Sequence, residues 1–247
     1  MQNIDLIIPD WPAPRNVCCI STTRQGGFSK GKYSTLNLGD HVGDIEEHVY
    51  KNRLKLLQKL NLSTEPMWLE QQHSNKVVFS SLVNTMIHKA DAAYTIEKEA
   101  VCVVLTADCL PVVFCDDVGS CVAIAHAGWR GLLRGVLENT LSAMPVNNSN
   151  ILCWLGAAIG PDKFEVGDDV KNSFVDINPH HESAFILTSK NKYLANIYTL
   201  AKNILIKSGV KNIYGGDRCT FSEKDKFFSH RRDGKTGRMA TMIWINH

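Results

Sequence analysis

The spacing of hydrophobic residues along the chain predicts three amphipathic helices separated by groups of short strands. Residues 45–61 and 131–144 have apolar side chains on one helical stripe, and residues 192–209 show the same spacing and end on a glycine. Runs rich in valine and isoleucine predict strands at residues 15–22 and at the segments PMWLEQ, NKVVFSS, AAYTI, AVCVVLT, PVVFCD, SCVAIAH and NILCWLGAAIG.

Several of these predicted strands are apolar at every position rather than at alternate positions. Residues 100–105 and 111–115 are examples. A strand of this kind suits a sheet that is covered on both faces. Because strands and helices come in separate groups, the pattern favours an α+β fold with mixed sheets packed face to face and helices outside. We see no linker, so residues 1–247 are expected to form a single compact domain.

Composition narrows the function without naming it. The chain is 44% hydrophobic and 21% charged, with a formal net charge of +2. That charge gives no strong field toward nucleic acid or anionic lipid, and the apolar runs are too short to span a membrane. Asp5 and Asp10 interrupt the N-terminal stretch, where a secretion signal would be apolar. We therefore expect a cytoplasmic protein with eight free cysteines, no nucleic-acid or membrane partner, and no indicated oligomeric state.

Three reactive side chains follow or precede apolar strands. His73 lies in EQQHSNKV, Cys109 in TADCLP and His126 in AHAGWRG. One thiolate and two imidazoles suit zinc, and three protein ligands leave the fourth position to water, as in a catalytic zinc site. The spacing alone also allows a Cys109–His126 nucleophilic pair, or buried residues without a role, and it does not choose among the three.

A longer resemblance adds to this pattern. The segments TRQGGFSKGKYSTLNLGDHVGD, EQQHSNKV, ADAAYT, TADCLPVVF, AIAHAGWRGLLRGV, LGAAIGPDKFEVGDDV and DRCTFSEKDKFFSHRRDGKTGRMA resemble the YfiH family, also called the laccase-domain or multicopper polyphenol oxidase family. The resemblance covers nearly the whole chain. It implies α/β/β/α layers and a zinc ion on His73, Cys109 and His126, which would act through the bound metal and its water.

The resemblance also implies a reaction. Members of the family act on purine nucleosides, by phosphorolysis of adenosine, inosine and methylthioadenosine and by deamination of adenosine. Some bacterial relatives are linked to removal of wrongly built peptidoglycan precursors. The partners implied for this chain are therefore small nucleosides and inorganic phosphate.

The family's copper label does not suit these residues. A multicopper oxidase takes its ligands largely from His-x-His pairs, and none of the nine histidines forms one. We therefore reject a polyphenol oxidase, although copper could occupy a Cys/His/His site adventitiously because Cu(II) outcompetes zinc at many such sites.

Phosphorolysis also requires groups that bind an anion. Arg24, beside two glycines, and Arg231 in SHRRDGKTGR are candidates for phosphate, because guanidinium groups hold phosphate with paired hydrogen bonds. Asn37 and His41, in the loop LNLGDH, are candidate substrate contacts. Asn37 is equally typical of a turn.

Two other classes of function stay open at this point. One is a metal-free hydrolase in which His126 activates Cys109. The other is a non-catalytic binding protein or a quality-control factor for peptidoglycan precursors. Five histidines, among them His180 and His181, are expected on the surface.

Overall fold

The computed structural model describes residues 3–83 and 88–247. Its strands are β1 (Leu6–Ile7), β2 (Val17–Thr22), β3 (Val77–Phe79), β4 (Ala92–Thr95), β5 (Cys102–Thr106), β6 (Leu110–Asp116), β7 (Val122–Ala127), β8 (Ile151–Leu155), β9 (Glu165–Gly167), β10 (Phe185–Ser189), β11 (Lys192–Ala195), β12 (Asn212–Gly215) and β13 (Met239–Ile245). Its α-helices are α1 (Glu46–Leu60), α2 (Trp129–Leu133), α3 (Val136–Ala143), α4 (Asp168–Ile177), α5 (Ile197–Lys207) and α6 (His230–Asp233). Single 3-10 turns lie at Gly31–Tyr33, Asp40–Val42, Asn148–Asn150, Pro161–Lys163 and Pro179–Ala184.

Two large sheets stack face to face. One has the strand order β1-β2-β13-β5, and the other has the order β12-β8-β6-β7-β4-β3. Cys102 and Ile243 of the first sheet share a buried apolar cluster with Val113 and Ile124 of the second. The α+β class and the face-to-face packing of mixed sheets are thereby confirmed.

Helices cover the outer faces of both sheets. On one side Leu56 of α1 packs in a cluster with Val103 and Met242. On the other side Phe114 of β6 packs with Leu137 of α3 and with residues of α5. Since β6 and β7 lie between the first sheet and these helices, every residue of both strands is buried. The order helix, sheet, sheet, helix is the layering that the family resemblance implied.

Two predicted helices need correction. The helix predicted at residues 131–144 begins two residues earlier and is divided into α2 and α3, because Gly135 has a positive φ of 84° that no helix continues through. The helix predicted at residues 192–209 begins only at Ile197. Residues 192–195 form β11, which pairs with β9 and β10, and Asn196 then caps α5 by accepting a hydrogen bond from the Thr199 amide.

Two strand predictions also differ from the structure. The segment PMWLEQ makes only isolated bridges, at Met67 and Leu69, rather than a full strand. The short strand β10 was not predicted at all, because it has four exposed positions and gains its order by pairing with β11. By contrast, α1 lies within one residue of its predicted limits at both ends. Among the described helices, none is long and apolar enough to cross a membrane.

The register of the second sheet brings the candidate residues to one edge. Strands β6 and β7 are antiparallel, with Pro111 opposite His126 and Leu110 opposite Ala127. The start of β4 lies beside the end of β7, with Ala92 opposite Ala125. Cys109 immediately precedes β6, so Cys109, His126 and the residue before β4 are neighbours by construction.

The Tyr198 hydroxyl ties α5 to this edge of the sheet. It accepts a hydrogen bond from the Ala158 amide at 2.8 Å and lies 2.7 Å from the Arg218 carbonyl oxygen. The side chain is buried, and burial raises its pKa. Through this contact α5 supports the segment that leads to Ile159, which lines the same cavity as His73, Cys109 and His126.

Replacing Tyr198 by phenylalanine is therefore expected to lower the free energy of unfolding by about 1–3 kcal/mol, because the buried Ala158 amide loses its partner. Urea unfolding followed by tryptophan fluorescence measures this change. The matched control is Tyr50→Phe at an exposed position, which should stay within about 0.5 kcal/mol of the unsubstituted protein. Equal stability of the two variants would show that the Tyr198 hydroxyl does not support the fold.

Candidate metal centre

Three potential ligand atoms converge at this edge. In the described part of the chain, one group of three potential metal ligands, His73, Cys109 and His126, has its ligand atoms all within 4.8 Å of one another. Cys109 Sγ lies 3.7 Å from His73 Nε2. Zinc bonds of about 2.3 Å to sulfur and 2.0–2.1 Å to nitrogen, at tetrahedral angles, separate such atoms by about 3.6 Å. The donor set and its spacing therefore fit a zinc-sized cation.

Asp91 orients the first imidazole. Its carboxylate Oδ1 lies 2.8 Å from His126 Nδ1, and both side chains are buried. A carboxylate at Nδ1 makes that nitrogen the donor, so the lone pair of Nε2 is left for a metal. The Asp91 carbonyl also accepts the His126 amide at 2.7 Å. Backbone and side chain thus fix the same histidine twice.

Asp91 also holds the loop that carries the second imidazole. Its carboxylate accepts the backbone amides of Gln72, His73 and Ser74 at 3.1, 2.9 and 2.6 Å, and the Ser74 hydroxyl at 2.7 Å. His73 has a φ of 54°, in the left-handed region, which costs about 1–3 kcal/mol unless its surroundings impose it. Arg134 adds a hydrogen bond to the His73 carbonyl at 2.8 Å.

The role of Asp91 was missed from the sequence. The only available signal was an aspartate placed directly before an apolar strand, at the same sheet edge as His126. Burial of Asp91 raises its pKa, but hydrogen bonds from His126 and Ser74 outweigh burial and lower the pKa to about 2. The carboxylate is therefore charged at neutral pH.

Gly128 leaves room for the cluster. A Cβ at this position would lie 2.9 Å from both Cys109 Sγ and His73 Cδ2. Any side chain here would displace two of the three ligands. The glycine of AHAGWRG is thus a requirement of the site rather than of the backbone, since its φ of −64° is ordinary.

The free thiol and imidazole influence each other's ionisation. Burial opposes ionisation of Cys109, but His126 and His73 lower its pKa to about 6. Burial likewise opposes the charged form of His126, but Cys109 and Asp91 raise its pKa to about 9. Without metal the pair is a thiolate beside an imidazolium, and a bound cation would take the place of the imidazolium proton.

Asp108 connects the turn that carries Cys109 to residues 220–231 by hydrogen bonds of its carboxylate. Its carboxylate accepts the hydroxyls of Thr220 and Ser229 at 2.5 and 3.1 Å and the Arg231 amide at 2.6 Å. Its φ is 90°, so it also shapes the turn before Cys109. Asp108 therefore shapes the turn and orients the loop that carries Arg231, rather than a potential metal ligand.

The cluster opens into a cavity of about 430 Å³, a size typical of small-molecule sites. Its apolar wall contains Trp129, Ile159, Phe164 and Ile197. The polar wall is mainly cationic, and Asp108, its one carboxylate, is already bonded to three donors. Apart from His73 and His126, the cationic and imidazole side chains of the lining are His41, Arg130, His230, Arg231 and Arg238.

The predicted substrate residues divide into two groups. His41 and Arg231 line the cavity, and Arg231 is held by a 2.9 Å hydrogen bond to the Glu165 carbonyl. Arg24 is outside the lining, with its guanidinium donating to the carbonyls of Ser34 and Lys224. Asn37 is fully buried and bonds to Gly39, Asp44 and the Arg238 amide, so its place is in the turn.

Two cavity arginines were not among the predicted substrate residues. Arg238 follows a glycine near the C-terminal strand and donates to the carbonyls of Thr236 and Gly237. Arg130 stacks over the Trp129 ring, with its guanidinium carbon 4.3 Å from the ring centroid. The signal available in the sequence was an arginine next to a glycine in each of the segments GWRG and KTGR.

The fold and the site together define a two-sheet α+β protein with three potential metal ligands clustered at a sheet edge. Residues 18–246 match the family model described as multi-copper polyphenol oxidoreductase laccase. The chain belongs to this family, whose close members carry the name YfiH.

Individual relatives cover nearly the full length. An Escherichia coli K12 protein named purine nucleoside phosphorylase YfiH is 50% identical over 97% of this chain and 98% of its own length. A Haemophilus influenzae protein named purine nucleoside phosphorylase is 46% identical over the same shares. A crystal structure of a Neisseria meningitidis protein of this kind superposes with a TM-score of 0.95 at 47% identity, covering both chains completely. The crystal structure of Geobacillus stearothermophilus YlmD superposes with a TM-score of 0.87 at 33% identity, over 96% of this chain and 94% of its own chain.

Replacement of Asp91 by asparagine is expected to weaken zinc binding by about 10–100-fold, because loss of a carboxylate behind a ligand histidine costs affinity on this scale. Competition with a chromophoric chelator measures the affinity. The matched control is Asp116→Asn, another buried carboxylate that accepts backbone amides, at the opposite end of β6. If both variants bind zinc equally well, Asp91 does not support the ligands.

Metal affinity should also fall as the pH falls. Between pH 9 and pH 6, the proton that His126 holds in the free site must leave, which costs about tenfold in affinity per pH unit. Below about pH 6 the Cys109 proton must leave too, so the decline steepens. Chelator competition from pH 5 to 8.5 gives the slope, with Cys219→Ser as a control that should follow the unsubstituted protein. A pH-independent affinity would contradict the assigned ligands.

Proposed function

We propose that this chain is a zinc-dependent purine nucleoside phosphorylase that cleaves adenosine, inosine and methylthioadenosine with inorganic phosphate and also deaminates adenosine. One observation carries the proposal: an open three-ligand metal site and an arginine-rich wall share a single cavity. The relatives named purine nucleoside phosphorylase support the same class of reaction.

Zinc is the proposed metal because of the donors present. One thiolate and two imidazoles form the borderline-soft set that zinc prefers, and Asp91 supplies the outer carboxylate. When bound, zinc supplies Lewis-acid polarisation of a substrate oxygen. Copper would bind the same donors adventitiously. We propose no polyphenol oxidation, because the chain has no His-x-His pairs to build a cluster of coppers.

Phosphate is proposed to bind on the cationic wall. Arg231 and Arg238 are both anchored through main-chain carbonyls, so their guanidinium groups are oriented before an anion arrives. His41 lies on the same wall. Preorganised guanidinium groups hold a phosphate with directed hydrogen bonds at little entropic cost. Arg24, whose guanidinium is committed to two carbonyls outside the cavity, supports the loop at residues 24–35 in this proposal.

The purine is proposed to lie against the apolar wall. Trp129 and Phe164 offer aromatic faces in the same cavity as the proposed ligands, and Ile159 and Ile197 complete the apolar wall. A planar base gains about 0.5–1.5 kcal/mol from stacking beyond its buried area. Deamination would use the same base position, with water adding to the carbon that bears the amine and ammonia leaving.

The decisive assay supplies zinc-loaded protein with inosine and inorganic phosphate. The proposal expects ribose 1-phosphate and hypoxanthine in equal amounts, with no product when phosphate is omitted. Adenosine should give adenine with phosphate and inosine by deamination. Fully metallated protein that forms no ribose 1-phosphate would rule out the phosphorylase.

Replacement of Arg231 by methionine should raise the KM for phosphate at least tenfold while the zinc content stays at the level of the unsubstituted protein, because the residue serves the anion and not the metal. Steady-state kinetics with inosine, paired with elemental analysis, tests both parts. Arg15→Met, at an exposed position outside the cavity, is the control. An unchanged KM for phosphate would place the anion elsewhere.

A second candidate function rests on the thiolate–imidazolium pair. A Cys109 pKa of about 6 is in the range of nucleophilic cysteines, so a metal-free hydrolase acting on amide bonds, such as those of cell-wall precursors, is the alternative. It predicts inactivation by iodoacetamide and indifference to chelators. Inactivation by a chelator that added zinc reverses would eliminate it.

A further inference from the structure

A second cavity lies among the helices on the outer face of the larger sheet, and its volume is about 310 Å³. None of its lining residues lines the metal cavity. We propose that it binds a small amphipathic acid, a carboxylate with an apolar body. The proposal does not depend on the reaction carried out at the metal centre.

His181 is the first observation. The sequence places it on the surface, but the side chain is only 3% exposed, in the turn after α4, with its ring 5.7 Å from that of Phe174. In the described part of the chain its Nδ1 atom is buried and has no hydrogen-bond partner. A buried polar nitrogen without a partner is unfavourable by about 1–3 kcal/mol, so a ligand oxygen that reached it would be stabilised.

The charge around His181 favours an anion. Lys207, at the end of α5, lines the same cavity, and no carboxylate of the described residues forms an ion pair with it. His181 and Lys207 line the same cavity, and burial and then the positive charge of Lys207 lower the pKa of His181. Glu138 is the one carboxylate of the lining, and its Oε2 lies 3.7 Å from the Cβ position of Gly135, over the first turn of its own helix. The cavity is thus electropositive at its Lys207 end.

The remaining wall fits an apolar body. Leu132, Leu133, Phe174 and Ile204 supply most of it. One water-sized group takes about 30 Å³ of liquid volume, so the cavity holds a ligand of about ten non-hydrogen atoms. A medium-chain or branched carboxylate of eight carbons has this size, with its acid group toward Lys207 and His181.

Two helices, α2 and α5, line both this second cavity and the metal cavity. Helix α2 lines the metal cavity with Trp129 and the second cavity with Leu132. Helix α5 does the same with Ile197 and Ile204. A bound acid would therefore contact two helices that also shape the metal cavity. If the acid bound one arrangement of these helices more tightly than another, its binding would also change the affinity of the metal cavity for its own ligand.

The test is titration of the full-length, zinc-loaded protein with sodium octanoate by calorimetry, with octanol as the uncharged comparison. We expect one saturable octanoate site per chain and at least fivefold weaker binding of octanol. Lys207→Gln should weaken octanoate at least fivefold, and Leu133→Trp should abolish binding by filling the cavity. Lys202→Gln, on the same helix but outside the lining, should bind as the unsubstituted protein does.

His181→Phe separates a binding role from a structural one. Phenylalanine keeps the aromatic packing against Phe174 and removes the unpaired nitrogen, so the thermal midpoint should hold or rise while octanoate affinity falls. Two results would overturn the proposal: no saturable binding of octanoate, or equal binding by the unsubstituted protein, Lys207→Gln and Leu133→Trp. Because Lys207 is exposed, its variant keeps the test decisive even if the tryptophan variant does not fold.

Discussion

The buried carboxylate of Asp91 is the constraint on which the metal centre depends. Its two oxygens accept hydrogen bonds from the imidazole of His126 and from three successive backbone amides of the loop at residues 72–74. Two ligands that are far apart in the chain are therefore positioned by one side chain. A charged group at zero exposure is tolerable only because every acceptor direction is used. The strained φ of His73 is held by the same contacts.

The sheet supplies what Asp91 alone cannot. Antiparallel pairing of β6 with β7 brings Cys109, just before β6, close to His126 near the end of β7, and Gly128 leaves the space in which sulfur and imidazole approach. Asp108, one residue before the cysteine, extends the same frame to the loop that carries Arg231. Rigid strand edges and short hydrogen-bonded turns position such groups more accurately than long loops do. Metal ligands and cationic wall are consequently parts of one connected structure.

Much of this architecture could be predicted from the sequence, and the failures have physical causes. The uniformly apolar strands indicated a sheet buried on both faces, and residues 45–61 had a helical stripe with charged flanks, so both were predictable locally. Residues 192–195 are compatible with a first helical turn, and only pairing with β9 makes them a strand. Asp91 has no local mark that distinguishes it from a turn aspartate, because its partners come from a loop and a strand distant in sequence. The burial of His181 likewise depends on how α4 and α5 pack.

The family's name points to copper oxidation, whereas the donor set of one cysteine and two histidines suits zinc. The described residues contain a single group of three potential metal ligands, one of them a cysteine, rather than a set of histidine pairs. X-ray absorption at the zinc edge, on zinc-loaded full-length protein, tests the assignment of these ligands most directly. The account predicts one sulfur at about 2.3 Å and two imidazole nitrogens at about 2.0–2.1 Å, with the sulfur lost in Cys109→Ser. A shell of nitrogen and oxygen alone, or a sulfur that persists in Cys109→Ser, would contradict it.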